Sequence, residues 1–287
     1  MDVLYHYCST SAFHGIGETR SVWLSSLSLS NDSMEGKLVA NVVTSLAERD
    51  GLTRRVIGRL QKSIGFLEQM FDGLGFCLSE EKDLLSQWRG YAADATGVAI
   101  GFSREYLEWL AESSRGKQTP GFSLLKVEYD PKGHQEQVEP TYHQIRKLID
   151  VGAFKIPGLR GLLDTRADQE VEEERKEIQR AQGELFVALI ELFPKLFLLK
   201  SPAFCEEREW RLVSYFVRGG KDTCSYRAMN DRLIEYRQYQ LLETDCLPIA
   251  EVVLGPKHLT PIPVVADFLR QRGFGEVRVT RSEATYR

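Results

Sequence analysis

The chain has 287 residues, of which 43% are hydrophobic and 27% charged, and its formal net charge is −4. These proportions are typical of soluble proteins, so they exclude a disordered chain and a globally basic nucleic-acid-binding protein. Five cysteines without a CxxC pair argue against a disulfide framework or a zinc site, and without a signal-peptide pattern or an apolar run of membrane-spanning length we expect a cytoplasmic protein.

Short strands and helices alternate in the first half of the chain. Clusters of aromatic and branched residues next to turn-forming residues predict the strands, and apolar residues at three and four spacing predict the helices. Strands are predicted at 3–7, 21–25, 75–79, 97–102 and 122–129, and helices at 33–71 with a break near Gly51, at 80–93, and from the cap Ser103 onwards. Cys77, in the third strand, is expected to be a small buried hydrophobe.

The strand signals vanish between about 134 and 200. A charge-dense segment at 166–183 has opposite charges at helical spacing, and an apolar helical pattern follows it, so we predict a helical insertion here. Strands return at 212–217, 249–254 and 276–280, with short β segments near 226 and 234 and a helix at 261–272. The sum is an α+β protein with a largely antiparallel sheet, predicted as one domain over 1–287 with the insertion at 134–200.

Two glutamates stand directly before the strand at 212–217. On a continuous strand Glu207 and Glu209 would share one face with Arg211, and Arg208 would point to the other. Neighbouring carboxylates repel, so without a cation or a ligand between them at least one should have a raised pKa. The alternative is a solvated strand edge at which Arg208 and Arg211 neutralise the glutamates.

Several short motifs follow one another in a characteristic order. They are Leu4-Tyr5-His6-Tyr7, Trp23-Leu24-Ser25 with Asn31-Asp32, Phe76-Cys77-Leu78-Ser79-Glu80, Gln87-Trp88-Arg89-Gly90-Tyr91, Gly97-Val98-Ala99-Ile100-Gly101-Phe102, Glu207-Arg208-Glu209-Trp210-Arg211 and Val252-Val253-Leu254-Gly255-Pro256. In this order the chain resembles a widespread bacterial family of unknown function, over nearly its whole length apart from 134–185. The layout is also similar to the ADP-ribosyltransferase-like superfamily, through His6, a hydroxyl-bearing second strand and the Glu-x-Glu strand.

The second resemblance implies a fold and a reaction. The fold would be a split antiparallel sheet with flanking helices, and the reaction would be NAD-dependent transfer of ADP-ribose through an oxocarbenium-like state. Glu209 would then be the catalytic acid that grips a ribose hydroxyl and stabilises the cation, and Glu207 would orient or deprotonate the acceptor. His6 would hold the other ribose.

The resemblance also implies further contacts to NAD. These contacts fall on Tyr7, Ser25, Asn31, Asp32, Trp88, Tyr91 and Arg211, in addition to His6. Trp88 or Tyr91 would stack on the nicotinamide ring. Lys200 and Arg211 would either balance the charge of the glutamates or meet the diphosphate. Tyr7 departs from the pattern, because many members of the superfamily have at this place a glycine whose backbone binds the nicotinamide amide.

Each of these residues also has a purely structural interpretation. His6 would be a buried histidine bonded to a backbone carbonyl, Ser25, Asn31 and Asp32 would end a strand and cap a helix, and the two aromatics would fill the core.

Two other functions stay open as well. One is a metal-dependent nuclease or hydrolase that uses Glu207, Glu209 and a histidine, although no dedicated metal-binding motif is present. The other is an interaction module without catalysis. The primary expectation is a bacterial toxin or antiphage effector that uses NAD, modifies a protein or nucleic-acid acceptor, and is paired with a neutralising antitoxin or an activating partner.

Overall fold

The computed structural model describes residues 2–29, 37–115, 120–158, 164–220, 224–229, 231–244 and 246–285. Asn31 and Asp32, two of the predicted cofactor residues, lie outside the described residues. The chain forms two compact units, one made of 1–31, 72–127 and 203–287 and the other of 32–71 and 128–202. The prediction of one domain with an insertion stays a prediction.

Within the described residues, the first unit contains a ten-stranded, mostly antiparallel sheet. The strands are Val3–Cys8 (β1), Ser21–Ser26 (β2), Phe71–Ser79 (β3), Val98–Ser103 (β4), Ser123–Lys126 (β5), Glu209–Val217 (β6), Ser225–Met229 (β7), Arg232–Gln240 (β8), Ile249–Leu254 (β9) and Arg278–Arg281 (β10). Their order is β10-β9-β4-β1-β3-β2-β8-β7, with β6 paired to β3 and β5, and only the β10 and β9 pair is described as parallel. The predicted α+β class with a largely antiparallel sheet is confirmed.

The helices follow the predicted periodicity with shifted ends. They are Thr10–Thr19 (α1), Lys37–Arg49 (α2), Arg54–Met70 (α3), Leu85–Gly90 (α4), Arg104–Ser114 (α5), Pro131–Val151 (α6), Asp168–Leu192 (α7) and Ile262–Gln271 (α8), with 3-10 helices at Phe193–Phe197 and Pro202–Glu207. Among the described helices, none has the combination of length and hydropathy that crossing a bilayer requires.

The second unit is helical and joins the predicted insertion to the earlier helices. Helices α6 and α7 come from the insertion, and α2 and α3 come from the segment before β3. Tyr142 on α6 donates a hydrogen bond to Asp50, which follows α2, at 3.1 Å, and Arg49 forms an ion pair with Glu139 at 2.7 Å. The insertion therefore packs as part of a larger helical unit, which the sequence did not predict.

Strand β3 has three partners in the sheet. It pairs with β1 through Tyr5 opposite Ser79, with β2 through Ser25 opposite Gly75, and with β6. A strand has two edges, so β1 and β2 bind different ends of β3 and the sheet splits between them. The antiparallel register would next place Tyr7 opposite Cys77, but the described pairing of β1 and β3 ends at Tyr5.

The alternation of side chains divides the sheet into two faces. Leu4 and Cys8 of β1, Leu24 of β2 and Phe76 of β3 belong to the main hydrophobic core. We call the opposite side of the sheet the second face. There, Tyr5 and Tyr7 of β1 pack with Trp88, Ala92, Ala95, Ala99 and Val253 in a smaller cluster.

Two glycines of the motifs are required by close backbone approach. A Cβ atom added to Gly97 would lie 2.1 Å from the carbonyl oxygen of Cys8, and one added to Gly255 would lie 2.4 Å from that of Ala95. These oxygens belong to the backbone, so they cannot move aside like the end of a flexible side chain. Close backbone packing therefore explains why these two motifs contain glycine at positions 97 and 255.

Replacement of Gly97 tests this close packing. We expect Gly97→Ala to lower the free energy of unfolding by about 1–3 kcal/mol, as overpacking does. The matched control is Gly15→Ala in α1, where an added Cβ meets nothing within 4 Å, and it should raise the free energy of unfolding by about 0.5–1 kcal/mol. Urea unfolding measures both values, and equal effects of the two substitutions would contradict the packing described here.

Candidate functional site

The chain reverses its local conformation between the two glutamates. Glu207 ends the 3-10 helix Pro202–Glu207, and β6 begins at Glu209. Arg208, between them, has φ +42°, in the left-handed region that L residues rarely adopt. The prediction that Glu207 lies on the strand and shares a face with Glu209 is therefore wrong, because the turn at Arg208 interrupts the extended chain.

Glu209 and Arg211 form a buried ion pair on β6. The guanidinium donates from Nε to one carboxylate oxygen at 2.7 Å and from Nη2 to the other at 3.0 Å. Only 5% of Glu209 and 2% of Arg211 are exposed. The predicted shared face of these two residues, and the neutralisation of Glu209 by Arg211, are confirmed. The pair also occupies the guanidinium that was expected to meet a diphosphate.

The alternative of a solvated strand edge is wrong in two respects. Glu207 is buried like Glu209, with 7% of its surface exposed. Arg208 does not turn toward the neighbouring glutamates, because its side chain forms an ion pair with Glu81 at 2.7 Å. Burial of two carboxylates at one strand entry costs desolvation free energy, so the protein retains them with dedicated partners.

Glu207 is approached by Tyr91 and by Ser79. The Tyr91 hydroxyl lies 3.5 Å from Oε1 of Glu207, and the Ser79 hydroxyl donates to the Glu207 carbonyl at 2.6 Å. Tyr91 directly follows α4 and is 42% exposed, so its ring is accessible beside the carboxylate. The structure thus brings Tyr91 and Glu207 together.

Trp88 and Tyr7 belong to the interior. Trp88 is fully buried, its indole N–H donates to Asp83 at 2.6 Å, and its ring meets that of Tyr7 edge-on at 4.8 Å. The Tyr7 hydroxyl donates to the Glu81 carbonyl and accepts from the Leu84 amide. Stacking of Trp88 on a nicotinamide ring is therefore wrong, and so is the shared helical face of Trp88 and Tyr91, because Tyr91 lies past the end of α4.

His6 lies at the point where β1 and β3 separate. Its Nδ1 is 2.8 Å from the Cys77 carbonyl, which can only accept, so Nδ1 carries the proton. The ring stacks on Phe76 with centroids 3.9 Å apart. Burial lowers the pKa of His6 to about 4, so the imidazole is neutral at pH 7 with Nε2 as an acceptor. The structural interpretation of a histidine bonded to a carbonyl is confirmed, and a ligand role stays a prediction.

The faces of the sheet separate His6 from the other predicted residues. His6 alternates with Tyr5 and Tyr7, so its side chain is on the main-core side of β1. Ser25 is opposite Gly75 and therefore on the second face, where its hydroxyl accepts from Nη2 of Arg227 at 3.0 Å. Glu209 and Arg211 alternate with the core residue Leu212 and also face the second side.

Three contacts of the site were not predicted from the sequence. Ser79 binds the Glu207 carbonyl, Glu81 pairs with Arg208, and Arg227 binds Ser25. The motif that contains Ser79 was recognised, but its partner is 128 residues away in sequence, and no local pattern indicates such a pairing. Cys77 is exposed rather than buried, because it points to the second face beside the split.

We searched the part of the chain that the structure describes for side chains that could bind a metal ion. No group of three or more His, Cys, Asp or Glu side chains lies close enough together there to hold a metal ion.

Comparison with known proteins places the central part of the chain in context. Residues 87–212 match the model of a family described as "Protein of unknown function (DUF2971)". The match includes the Gln87–Tyr91 motif, Glu207, Glu209 and Arg211. No curated protein and no solved structure matches the chain. The resemblance to a family of unknown function is thus confirmed for this stretch, and the similarity to ADP-ribosyltransferases stays a prediction.

The neutral state of His6 predicts a pH dependence of stability. Because the folded pKa of about 4 is below the ordinary value of 6.5, the unfolded chain binds more protons between these pH values. The contribution of His6 to stability is therefore complete above pH 6.5 and falls as the pH drops toward 4, by at most about 3 kcal/mol. His6→Gln, whose amide can still donate to Cys77, should remove this part of the slope in urea unfolding from pH 7 to pH 4. An unchanged slope would contradict the assignment.

Because Arg208 has a left-handed backbone conformation, we expect glycine to be more stable than alanine at this position, the reverse of the order in a helix. Arg208→Gly and Arg208→Ala both lose the ion pair to Glu81, but only glycine relieves the backbone strain, so the glycine variant should be the more stable by about 1 kcal/mol. At Arg180, exposed inside α7, alanine should be more stable than glycine by about 1 kcal/mol. Thermal unfolding of the four variants measures the two differences, and the same sign at both positions would refute the strain.

Proposed function

We propose that the protein is an NAD-consuming ADP-ribosyltransferase in which the Glu209 carboxylate stabilises the positive charge that develops on the ribose. The supporting observation is that His6 and Glu207 contact residues of β3 that are two positions apart. His6 binds the carbonyl of Cys77, and Glu207 receives the hydroxyl of Ser79 through its own carbonyl. A ligand bound where β1 and β3 separate would therefore lie between the neutral imidazole of His6 and the segment that carries the two glutamates.

Glu209 suits the stabilisation of positive charge on a ribose. Two hydrogen bonds from Arg211 fix the orientation of its carboxylate. A carboxylate that is already oriented needs little reorganisation when positive charge develops on the ribose carbon as the bond to nicotinamide breaks. In this proposal Arg211 is a positioning residue, and it does not contact the diphosphate.

Glu207 and Tyr91 suit the side of the acceptor. The Tyr91 ring is exposed and its hydroxyl lies 3.5 Å from Glu207. Glu207 would orient or deprotonate the incoming acceptor group, as a carboxylate within hydrogen-bond reach does. Tyr91, rather than the buried Trp88, is the aromatic ring available to a nicotinamide or to an acceptor.

His6 suits the second ribose. Because Nδ1–H is committed to the Cys77 carbonyl, Nε2 offers a lone pair that can accept from a ribose hydroxyl. Its side chain is on the main-core side of β1, so the contact is made through the gap that opens beyond Tyr5 and Ser79. We propose an acceptor on a protein or a nucleic acid, and a role as a bacterial toxin or antiphage effector with a neutralising or activating partner.

Nicotinamide release and NAD binding, measured on the same variants, test the proposal. Glu209→Gln should lower nicotinamide release by about 100-fold or more, since it removes the stabilising charge, while NAD still binds in isothermal titration. His6→Ala should weaken NAD binding by about tenfold through loss of a hydrogen bond. Glu206→Gln is the matched control, because Glu206 is exposed in the 3-10 helix that ends at Glu207. This variant should leave both measurements unchanged.

The folded state of each variant is checked by its melting temperature, because Glu209 is part of a buried ion pair. Wild-type protein that neither binds NAD nor releases nicotinamide, with or without a macromolecular acceptor, would contradict the proposal. Equal nicotinamide release by the wild type and by a folded Glu209→Gln variant would contradict the role of Glu209.

A further inference from the structure

The second face carries a polar and aromatic cluster around Arg227. Arg227 on β7 donates from Nη2 to the Ser25 hydroxyl at 3.0 Å, and its guanidinium carbon lies 5.6 Å from the centre of the Trp23 ring. Trp23 and Tyr236 stack with ring centroids 4.4 Å apart. The register places the four residues on one face, since Ser25 is opposite Tyr236 and Tyr236 is opposite Ser225.

The charge of Arg227 is not balanced by a carboxylate. Within the part of the chain that the structure describes, no Asp or Glu forms an ion pair or hydrogen bond with it, and its buried Nε has no hydrogen-bond partner. Burial lowers the pKa of Arg227.

Arg211 on β6 and Arg218, which directly follows β6, show the contrast. Arg218 forms ion pairs with Asp72 and Glu235, and Arg211 forms its bidentate pair with Glu209. A half-buried guanidinium that lacks a carboxylate is costly to keep, and the two terminal nitrogens of a guanidinium can bind the oxygens of a phosphate in a fork. The neighbouring Ser25 hydroxyl accepts from Arg227, which leaves its own proton to donate to an anion.

We propose that Arg227 and Ser25 bind a phosphate group of a nucleotide on the second face, next to the stacked rings of Trp23 and Tyr236. This inference rests on the proposed function in one respect, namely that the nucleotide is NAD. It assigns to Arg227 the diphosphate contact that the sequence suggested for Arg211. Ser25 is opposite Gly75, two residues along β3 from Cys77, whose carbonyl contacts His6. Because His6 lies on the main-core side and Ser25 on the second face, a dinucleotide that contacts both must pass through the gap between β1 and β3.

Isothermal titration of the full-length chain with NAD and, separately, with inorganic pyrophosphate tests the inference. Arg227→Gln should weaken the binding of both by about tenfold or more, since it removes a charged donor from a phosphate. Ser25→Ala should weaken both less, and Arg227→Lys should restore part of the affinity because it keeps the charge. Arg232→Gln is the matched control, because Arg232 is an exposed arginine on the adjacent β8 that pairs with Asp231, and its binding should equal that of the wild type.

The two ligands separate failure of this inference from failure of the proposed function. If pyrophosphate binds in an Arg227-dependent way while NAD does not bind, the phosphate site stands and the proposed function fails. If the Arg227→Gln variant binds NAD and releases nicotinamide like the wild type, the proposed function stands and this inference is overturned. A wild-type protein that binds neither ligand overturns the inference as well.

Discussion

A β-strand can hydrogen-bond along only two edges, yet β3 has three strand partners, and this constraint shapes the rest of the first unit. Strands β1 and β2 pair with opposite ends of β3. Between these two ends, neither strand continues its ladder of backbone hydrogen bonds with β3. The His6 side chain supplies a hydrogen-bond partner for the Cys77 carbonyl, which the ladder between β1 and β3 does not reach. The histidine therefore substitutes for a missing ladder bond at the point where β1 and β3 separate.

Backbone strain and buried side chains occur together where β6 begins. The left-handed turn at Arg208 ends the 3-10 helix and starts the strand, so Glu207 and Glu209 are presented in different backbone conformations. Strain of this kind persists where the surrounding structure determines the geometry, and it is frequent at functional sites. Here the surroundings are the Glu209 and Arg211 ion pair on one side and the Ser79 hydroxyl on the other.

The sequence was sufficient for features that depend on local pattern. The strands at β1, β2 and β4 and the helical periodicity of α3 follow from alternation and from three and four spacing, and the shared face of Glu209 and Arg211 follows from the strand that contains them. Glu207 was misplaced because the conformation of Arg208 is set by its tertiary surroundings and not by its residue type. Trp88 and Tyr91 could not be separated, because α4 ends between them. No sequence pattern indicated the contact between Arg227 and Ser25, because these residues are about 200 positions apart. They meet only through the register of β7, β8 and β2.

We propose that NAD binds along β3 between His6 and the glutamates, and amide hydrogen exchange with and without saturating NAD tests this binding site most directly. We expect slower exchange in β1, in residues 75–80 and in residues 207–212, with unchanged exchange in the helices α3 and α6, which belong to the other unit. Protection confined to α3 and α6, or no protection in residues 75–80 and 207–212 at saturating NAD, would contradict this binding site.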